Sequence, residues 1–168
     1  GTMIDIKENI SLASYTVFKI GGPAKYFCEV KNREELIEAL DWARGKKMPR
    51  FILGAGSNVL VSDEGFSGIA IKMGLQELRM ELNQPPRDPI LNLEKDRISS
   101  RLADRKIFAS AGVSMAKAVN FAVENGFWGF EWGIGIPGTI GGSVFGNSGC
   151  YGSEMKDVVE SVEVLETT

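Results

Sequence analysis

Two stretches of the chain carry apolar residues at helical spacing. After Asn32, Leu36, Ala39, Leu40 and Ala43 share one face, with Trp42 at its border. Asn32 followed by Glu35 is an N-x-x-E cap, and Gly45 predicts an end at Arg44. The second stretch begins at Ser114, an N-cap, and buries Met115, Ala118, Val119 and Ala122, with Phe121 at the edge and Gly126 as C′ residue after Asn125. Elsewhere the pattern is extended. Thr16, Phe18 and Ile20 alternate with Val17 and Lys19, predicting a strand interrupted by the Gly21-Gly22-Pro23 turn; Lys25 to Val30 resumes it, with Cys28 as a small buried filler. Phe51-Ile52-Leu53 reads as a short buried strand. A turn leads from it into a strand at 59–61. Gly68 to Met73 and Lys106 to Ala111 read as further strands, and alternation from Asp157 to Leu165 predicts a terminal one. Residues 3–15 read as irregular or helical. Residues 74–105 read as a charged surface excursion holding at most a short helix on Leu91, Ile98 and Leu102. Helices between extended segments point to α+β or α/β lobes.

One stretch departs from both periods. From Glu131 to Gly152 the chain runs EWGIGIPGTIGGSVFGNSGCYG, with no Lys, Arg, Asp or Glu between Gly133 and Gly152. Glycine loses more backbone freedom on folding than any other residue, so this density serves close approach or unusual turns. An anion held here must be held by backbone N–H groups, helped by Thr139, Ser143, Ser148 and Asn147; that points to a diphosphate-bearing cofactor. Gly133-x-Gly135-x-x-Gly138 matches a dinucleotide fingerprint, but no hydrophobic strand leads into it, Pro137 interrupts it, and no acidic residue follows at the required distance. A mobile linker is opposed by the interleaved Trp132, Ile134, Ile136, Ile140, Val144, Phe145 and Tyr151, which predict a packed loop. A second cradle is offered by Leu53-Gly54-Ala55-Gly56-Ser57-Asn58-Val59, which is neither a Walker loop nor a G-x-G-x-x-G; a tight hairpin is its plainer reading.

Composition narrows the chemistry. The 168 residues are 43% hydrophobic and 24% charged with a net charge of −3, which fits one globular domain or two small lobes and gives no reason to expect a nucleic-acid partner. No apolar run reaches membrane-spanning length, so a cytoplasmic protein without membrane contact is the expectation. The sequence has no histidine, which removes histidine-based catalysis, histidine metal ligands and histidyl attachment of a flavin. Its two cysteines, Cys28 and Cys150, lack metal-ligand spacing, and no metal site is assigned.

Four blocks together resemble the UDP-N-acetylenolpyruvoylglucosamine reductase (MurB) family, in its N-terminal FAD-binding part. They are Thr16-x-Phe18-Lys19-Ile20-Gly21-Gly22-Pro23-Ala24, Gly54 to Leu60, Asn125-Gly126 through Glu131, and Ile136-Pro137-Gly138-Thr139-Ile140-Gly141-Gly142 through Asn147-x-Gly149-x-Tyr151-Gly152. The resemblance implies an α+β fold, a two-lobed FAD-binding domain of the vanillyl-alcohol oxidase (PCMH) type, with one lobe over 3–74 and the other over 75–168, the latter interrupted by the charged stretch at about 83–105. It implies noncovalent FAD bound by Leu53, Gly54, Ala55, Gly56, Ser57, Asn58, Val59, Gly112, Ile136, Pro137, Gly138, Thr139, Gly141, Gly142, Ser143, Asn147, Gly149 and Tyr151. The family uses NADPH as hydride donor to make UDP-N-acetylmuramate, for peptidoglycan synthesis, from UDP-N-acetylglucosamine enolpyruvate. Its catalytic serine, arginine and glutamate belong to blocks beyond Thr168, as does its substrate-binding domain, so no catalytic residue is assigned. The resemblance therefore implies a monomeric, cofactor-holding portion without turnover of its own; a non-catalytic flavin-binding module is the alternative. Two departures stand out: Cys150 replaces the family's usual alanine, and the charged stretch is longer than the family leads one to expect.

Overall fold

Strand β4 (Phe66–Met73) is the centre of the first group of elements, and its burial explains its sequence. Ile69, Ala70 and Ile71 are all fully buried, because the strand is covered on both faces. In the computed structural model, which describes residues 4–82 and 105–166, β4 lies between β2 (Pro23–Val30) and β3 (Arg50–Leu53), parallel to both. β1 (Lys7–Ser11) pairs antiparallel on the outer side of β2, giving the order β1-β2-β4-β3. Helix α1 (Arg33–Gly45) connects β2 to β3 and lays Ala39, Leu40 and Ala43 on one face of the sheet against Cys28, Val30, Ile69 and Ile71. The other face gathers Leu12, Ala24, Phe27 and Ala70 with Tyr15, Phe51 and Phe66.

The α1 cap forms as its residues dictate. Asn32 Oδ1 accepts from Glu35 N–H at 2.8 Å, and the Glu35 carboxylate accepts from Lys31 N–H at 2.7 Å. The other end differs from expectation. The helix continues through Gly45, and Lys47, at φ 51°, makes the left-handed reversal. Met48 N–H reaches Ala43 O and Lys47 N–H reaches Arg44 O, the paired bonds of a Schellman motif.

The second group holds the two-stranded antiparallel sheet of β5 (Leu78–Leu82) and β6 (Arg105–Ala109), helix α2 (Met115–Glu124), the short helix α3 (Ile140–Phe145), and the small hairpin of β7 (Gly149–Cys150) and β8 (Ser153–Glu154). Ser114 caps α2 by accepting from Lys117 N–H, and Gly126 follows Asn125 with φ 74°. The expected stripe of Met115, Ala118, Val119 and Ala122 is buried. Against it packs a 3-10 turn, Glu131–Gly135, whose Gly133 lets Met115 and Val119 approach to where a Cβ would stand 3.0 Å from each. Helices set beside separate small sheets make this an α+β fold, as expected.

Several expectations are corrected. The predicted irregular or helical stretch at 3–15 instead contains, within its described residues 4–15, β1 and a 3-10 turn, Leu12–Tyr15; β1 is a polar edge strand that, among the described residues, pairs with β2 alone. Thr16 to Ile20 is a loop, not a strand. Lys19 has φ 56°, Thr16 Oγ1 donates to Ile20 O at 3.2 Å, and Val17, Phe18 and Ile20 remain exposed. Ile52 is also exposed, since β3 is an edge strand, and 59–61 forms no strand. The excursion at 74–105 includes β5, where Arg79 stacks 3.8 Å over Phe108; the helix on Leu91, Ile98 and Leu102 lies outside the described residues. Residues 158–166 hold no strand. Val162 and Val164 are exposed there, and ion pairs from Arg33 to Glu163 (3.1 Å) and from Lys106 to Glu160 tether the segment.

Candidate functional site

Residues 54–58 leave the end of β3 as a tight turn whose shape depends on missing side chains. Gly56 has φ 67°, and a Cβ there would stand 2.0 Å from Tyr15 O, so the turn lies directly on the 15–17 segment. Val17 N–H donates to Gly56 O at 3.0 Å. On the other side the turn meets the second group of elements. A Cβ on Gly54 would stand 2.7 Å from Thr139 Oγ1, one on Gly138 would stand 2.8 Å from Ser57 Oγ, and Ser57 Oγ donates to Pro137 O at 3.4 Å. The two glycine-rich stretches thus form facing walls, though they are about 80 residues apart in the chain.

Counting donors separates the parts of these walls. Among the described residues, no intramolecular hydrogen bond uses the backbone N–H groups of Gly54, Ala55, Gly56, Ser57 or Asn58, nor those of Gly138 and Thr139. Buried backbone donors are nearly always paired, so a run of unpaired ones at a cleft is suited to an external acceptor. The start of α3 differs. Ile140 N–H donates to Val113 O at 2.8 Å, Gly141 N–H to Ala111 O at 2.9 Å, Gly142 N–H to Thr139 Oγ1 at 3.4 Å, and Ser143 N–H to Thr139 O at 2.9 Å. Every donor of that first turn is already spent inside the fold. The capacity for anions at this wall therefore rests on Gly138-Thr139, not on the helix start.

The remaining predicted residues take distinct places. Leu53 is buried at the end of β3, Val59 is half-buried beyond the turn, and Asn58 is exposed. Gly112 is buried where a Cβ would stand 2.5 Å from both Met73 O and Leu75 O, so it fastens the two groups of elements together. Ile136 is half-buried and Pro137 exposed beside Ser57; Ser143 is buried on the inner side of α3. Gly141 presses on Ala111, where a Cβ would stand 2.7 Å from its methyl. Gly149 and Tyr151 belong to the β7–β8 hairpin, and Asn147 precedes it. Asn147 Nδ2 donates to the Glu154 carboxylate, and Asn147 Oδ1 accepts from Lys156 N–H at 3.0 Å, so both ends of that amide are occupied. The Glu154 carboxyl is held below its ordinary pKa by hydrogen bonds from Lys156 and Asn147. Tyr151 is 93% exposed and Phe145 97%, so the loop is not packed by all its apolar residues as its composition predicts.

Two lysines absent from the sequence-based site complete the turn's surroundings. Lys72 Nζ donates to Gly54 O, and Lys19 lies with Lys72, Ala55 and Thr16 along a cleft of about 380 Å³. Burial draws the Lys72 ammonium below the usual lysine pKa, with Glu29 acting the other way. Among the described residues no group of three or more His, Cys, Asp or Glu converges as a metal site, and no helix is long and apolar enough to cross a membrane.

Comparison with known proteins agrees with this geometry. The model of the FAD binding domain family matches residues 24–168. UDP-N-acetylenolpyruvoylglucosamine reductase of Caldanaerobacter subterraneus subsp. tengcongensis is 41% identical over 158 residues, covering 94% of this chain and 45% of its own. The same-named protein of a Synechococcus species is 36% identical over 161 residues, covering 96% of this chain and 45% of its own. The crystal structure of UDP-N-acetylenolpyruvylglucosamine reductase (MurB) from Thermus caldophilus superposes with a TM-score of 0.63 at 28% identity, over 92% of this chain and 47% of that one. The chain spans about half the length of the curated relatives it matches. Two facing walls of unpaired N–H groups and a family match reaching from β2 through the last described residue lead to one conclusion: the chain belongs to the FAD binding domain family.

Proposed function

We propose that this chain holds FAD noncovalently between the turn at 53–59 and the stretch from Gly112 through 136–151, as the cofactor-binding part of a UDP-N-acetylenolpyruvoylglucosamine reductase. The observation that carries the reading is the row of unpaired N–H groups at 54–58 opposite Gly138-Thr139. A diphosphate accepts such bonds without a basic side chain. Each charge-assisted bond contributes about 1.5–3 kcal/mol. The residues fit the group in a second respect: Gly142 is exposed and has no internal need to be glycine, as expected where a ligand passes close. Gly54, Ala55, Gly56, Ser57, Gly138 and Thr139 would hold the diphosphate, and Gly149 and Tyr151 would extend the wall toward the flavin ring.

Bound there, FAD would supply hydride transfer, accepting from NADPH and delivering to the enolpyruvyl group of UDP-N-acetylglucosamine enolpyruvate. The chain's own part is to bind and orient. None of its residues is assigned to protonate or polarise the substrate, so we expect no turnover from these residues alone. The lobes divide at 74/75, and a monomeric, cytoplasmic protein in peptidoglycan synthesis is the setting this reading implies. The test is direct. FAD added to the folded chain should show quenched flavin fluorescence and a saturable binding isotherm, and NADPH consumption should not rise when the UDP-sugar is added. A folded chain that leaves FAD free refutes the cofactor role; substrate-dependent NADPH oxidation refutes the expected lack of turnover.

A further inference from the structure

The turn at 54–58 raises a question of orientation: what makes its N–H groups face outward. In a planar trans peptide, the carbonyl of one residue and the N–H of the next point in opposite directions. Fixing a carbonyl therefore aims the following N–H. Two carbonyls of the turn are fixed. Gly54 O accepts from Lys72 Nζ, and Gly56 O accepts from the N–H of Val17. Both partners lie in the first group of elements, on β4 and on the segment after Tyr15. The N–H groups of Ala55 and Ser57 are consequently turned away from Lys72 and Val17, and neither is used by another group among the described residues.

Lys72 is well built for this task. It lies in register with Leu53 on one side and Glu29 on the other, on the central strand of the sheet. The preceding Ala70 and Ile71 are fully buried, so the stem springs from the buried centre of the sheet. A lysine ending a buried run also carries a cost, since burial disfavours its charged form. A residue present only to fill the strand would be apolar.

We propose that Lys72 is a positioning residue for the cofactor diphosphate: by holding the Gly54 carbonyl it aims the Ala55 N–H at a phosphate oxygen. The inference rests on the FAD reading above. It assigns to a side chain outside both glycine-rich stretches a share of the binding that those stretches perform with backbone alone. Val17 does the same for the Ser57 N–H through its own backbone, and a side-chain change cannot remove it.

Lys72→Met keeps the stem and deletes the donor. FAD titration of this variant, followed by flavin fluorescence, should give a dissociation constant raised about tenfold over the wild type, with an unchanged circular dichroism spectrum. Lys72→Arg, which can still donate to a single carbonyl, should recover binding to within about threefold. A folded Lys72→Met that binds FAD as tightly as the wild type overturns the proposal, and so does a folded Lys72→Arg that binds as poorly as Lys72→Met. A second measurement needs no variant. Amide hydrogen exchange at Ala55 and Ser57 in the wild-type chain should slow when FAD is added, because both groups become donors. Unchanged exchange at Ala55 under saturating FAD overturns the proposal even if Lys72→Met does not fold. A wild-type chain that binds no FAD refutes the cofactor reading itself, which the titration reports before any variant is compared.

Discussion

Replacing Gly142 by alanine separates what the fold needs from what a ligand needs. Gly142 is exposed in the short helix α3 and lacks the positive φ that would require glycine. An added Cβ would meet only Thr139 Oγ1 at 3.6 Å, an ordinary contact. Alanine in a helix interior is favoured over glycine by about 0.8–1.0 kcal/mol, and a six-residue helix near its N-terminus should realise about half of that. Thermal unfolding of Gly142→Ala without cofactor should therefore show a melting temperature raised by about 1–3 °C. FAD affinity should move the other way. A methyl forced into a close backbone–ligand contact costs about 1–3 kcal/mol, which is a loss of roughly 5- to 150-fold. A stabilised variant that binds FAD at wild-type affinity would falsify the idea that a ligand passes close to Gly142. A destabilised variant would show that the helix has contacts this geometry does not contain.

The other substitutions test the turn and the core. Gly56→Ala should destabilise the chain by about 2–4 kcal/mol, from the left-handed backbone and from displacing Tyr15 O, and should abolish FAD binding; urea denaturation midpoints and flavin fluorescence check both. Burial raises the Cys28 thiol from 9.0 to about 11, so the unfolded chain loses that proton at lower pH than the folded one. Stability should accordingly be complete below about pH 8 and fall by about 2–3 kcal/mol as pH rises through 9 to 11; Cys28→Ala should remove that part of the slope in alkaline denaturation curves. In native thiol titration at neutral pH, half-buried Cys150 should react and buried Cys28 should not, with the second equivalent appearing on unfolding.

The helices were legible because their signals are local. Asn32 with Glu35, and Ser114 with Lys117 N–H, are caps closed within three residues, and the stripes between them decide the buried faces. Strands were less so, since alternation shows only that a segment could pair. Leu78 to Leu82 alternates and finds β6; residues 158–166 also alternate and find no strand among the described residues. Thr16 to Ile20 alternates too, but Lys19 at φ 56° and the bond from Val17 to Gly56 fold it over the turn instead. At the site, composition pointed to backbone donors, and the structure brings 54–57 against 137–139. Composition could not reveal that the first turn of α3 spends its donors internally, because that depends on Ala111 and Val113. Lys72 left one trace in the sequence: a charge directly after Ile69-Ala70-Ile71, which otherwise read as core.

The seam between the two groups of elements is narrow. Its fastenings include Gly112 pressed on Met73 O and Leu75 O, Gln76 Nε2 donating to Gly112 O, Gly54 against Thr139, the Ser57 hydroxyl on Pro137 O and the exposed Arg33–Glu163 pair, while the two buried clusters described above lie within the first group. Both of those clusters lie on one side of the seam, so contacts at the facing glycine-rich walls are what a ligand would add to. A ligand grasped by both walls would act as a strut, its binding energy adding to the coupling between the two groups. The site thereby reports on its own architecture: cooperativity of unfolding, rather than stability of either half, is the property that the bridging ligand would change most.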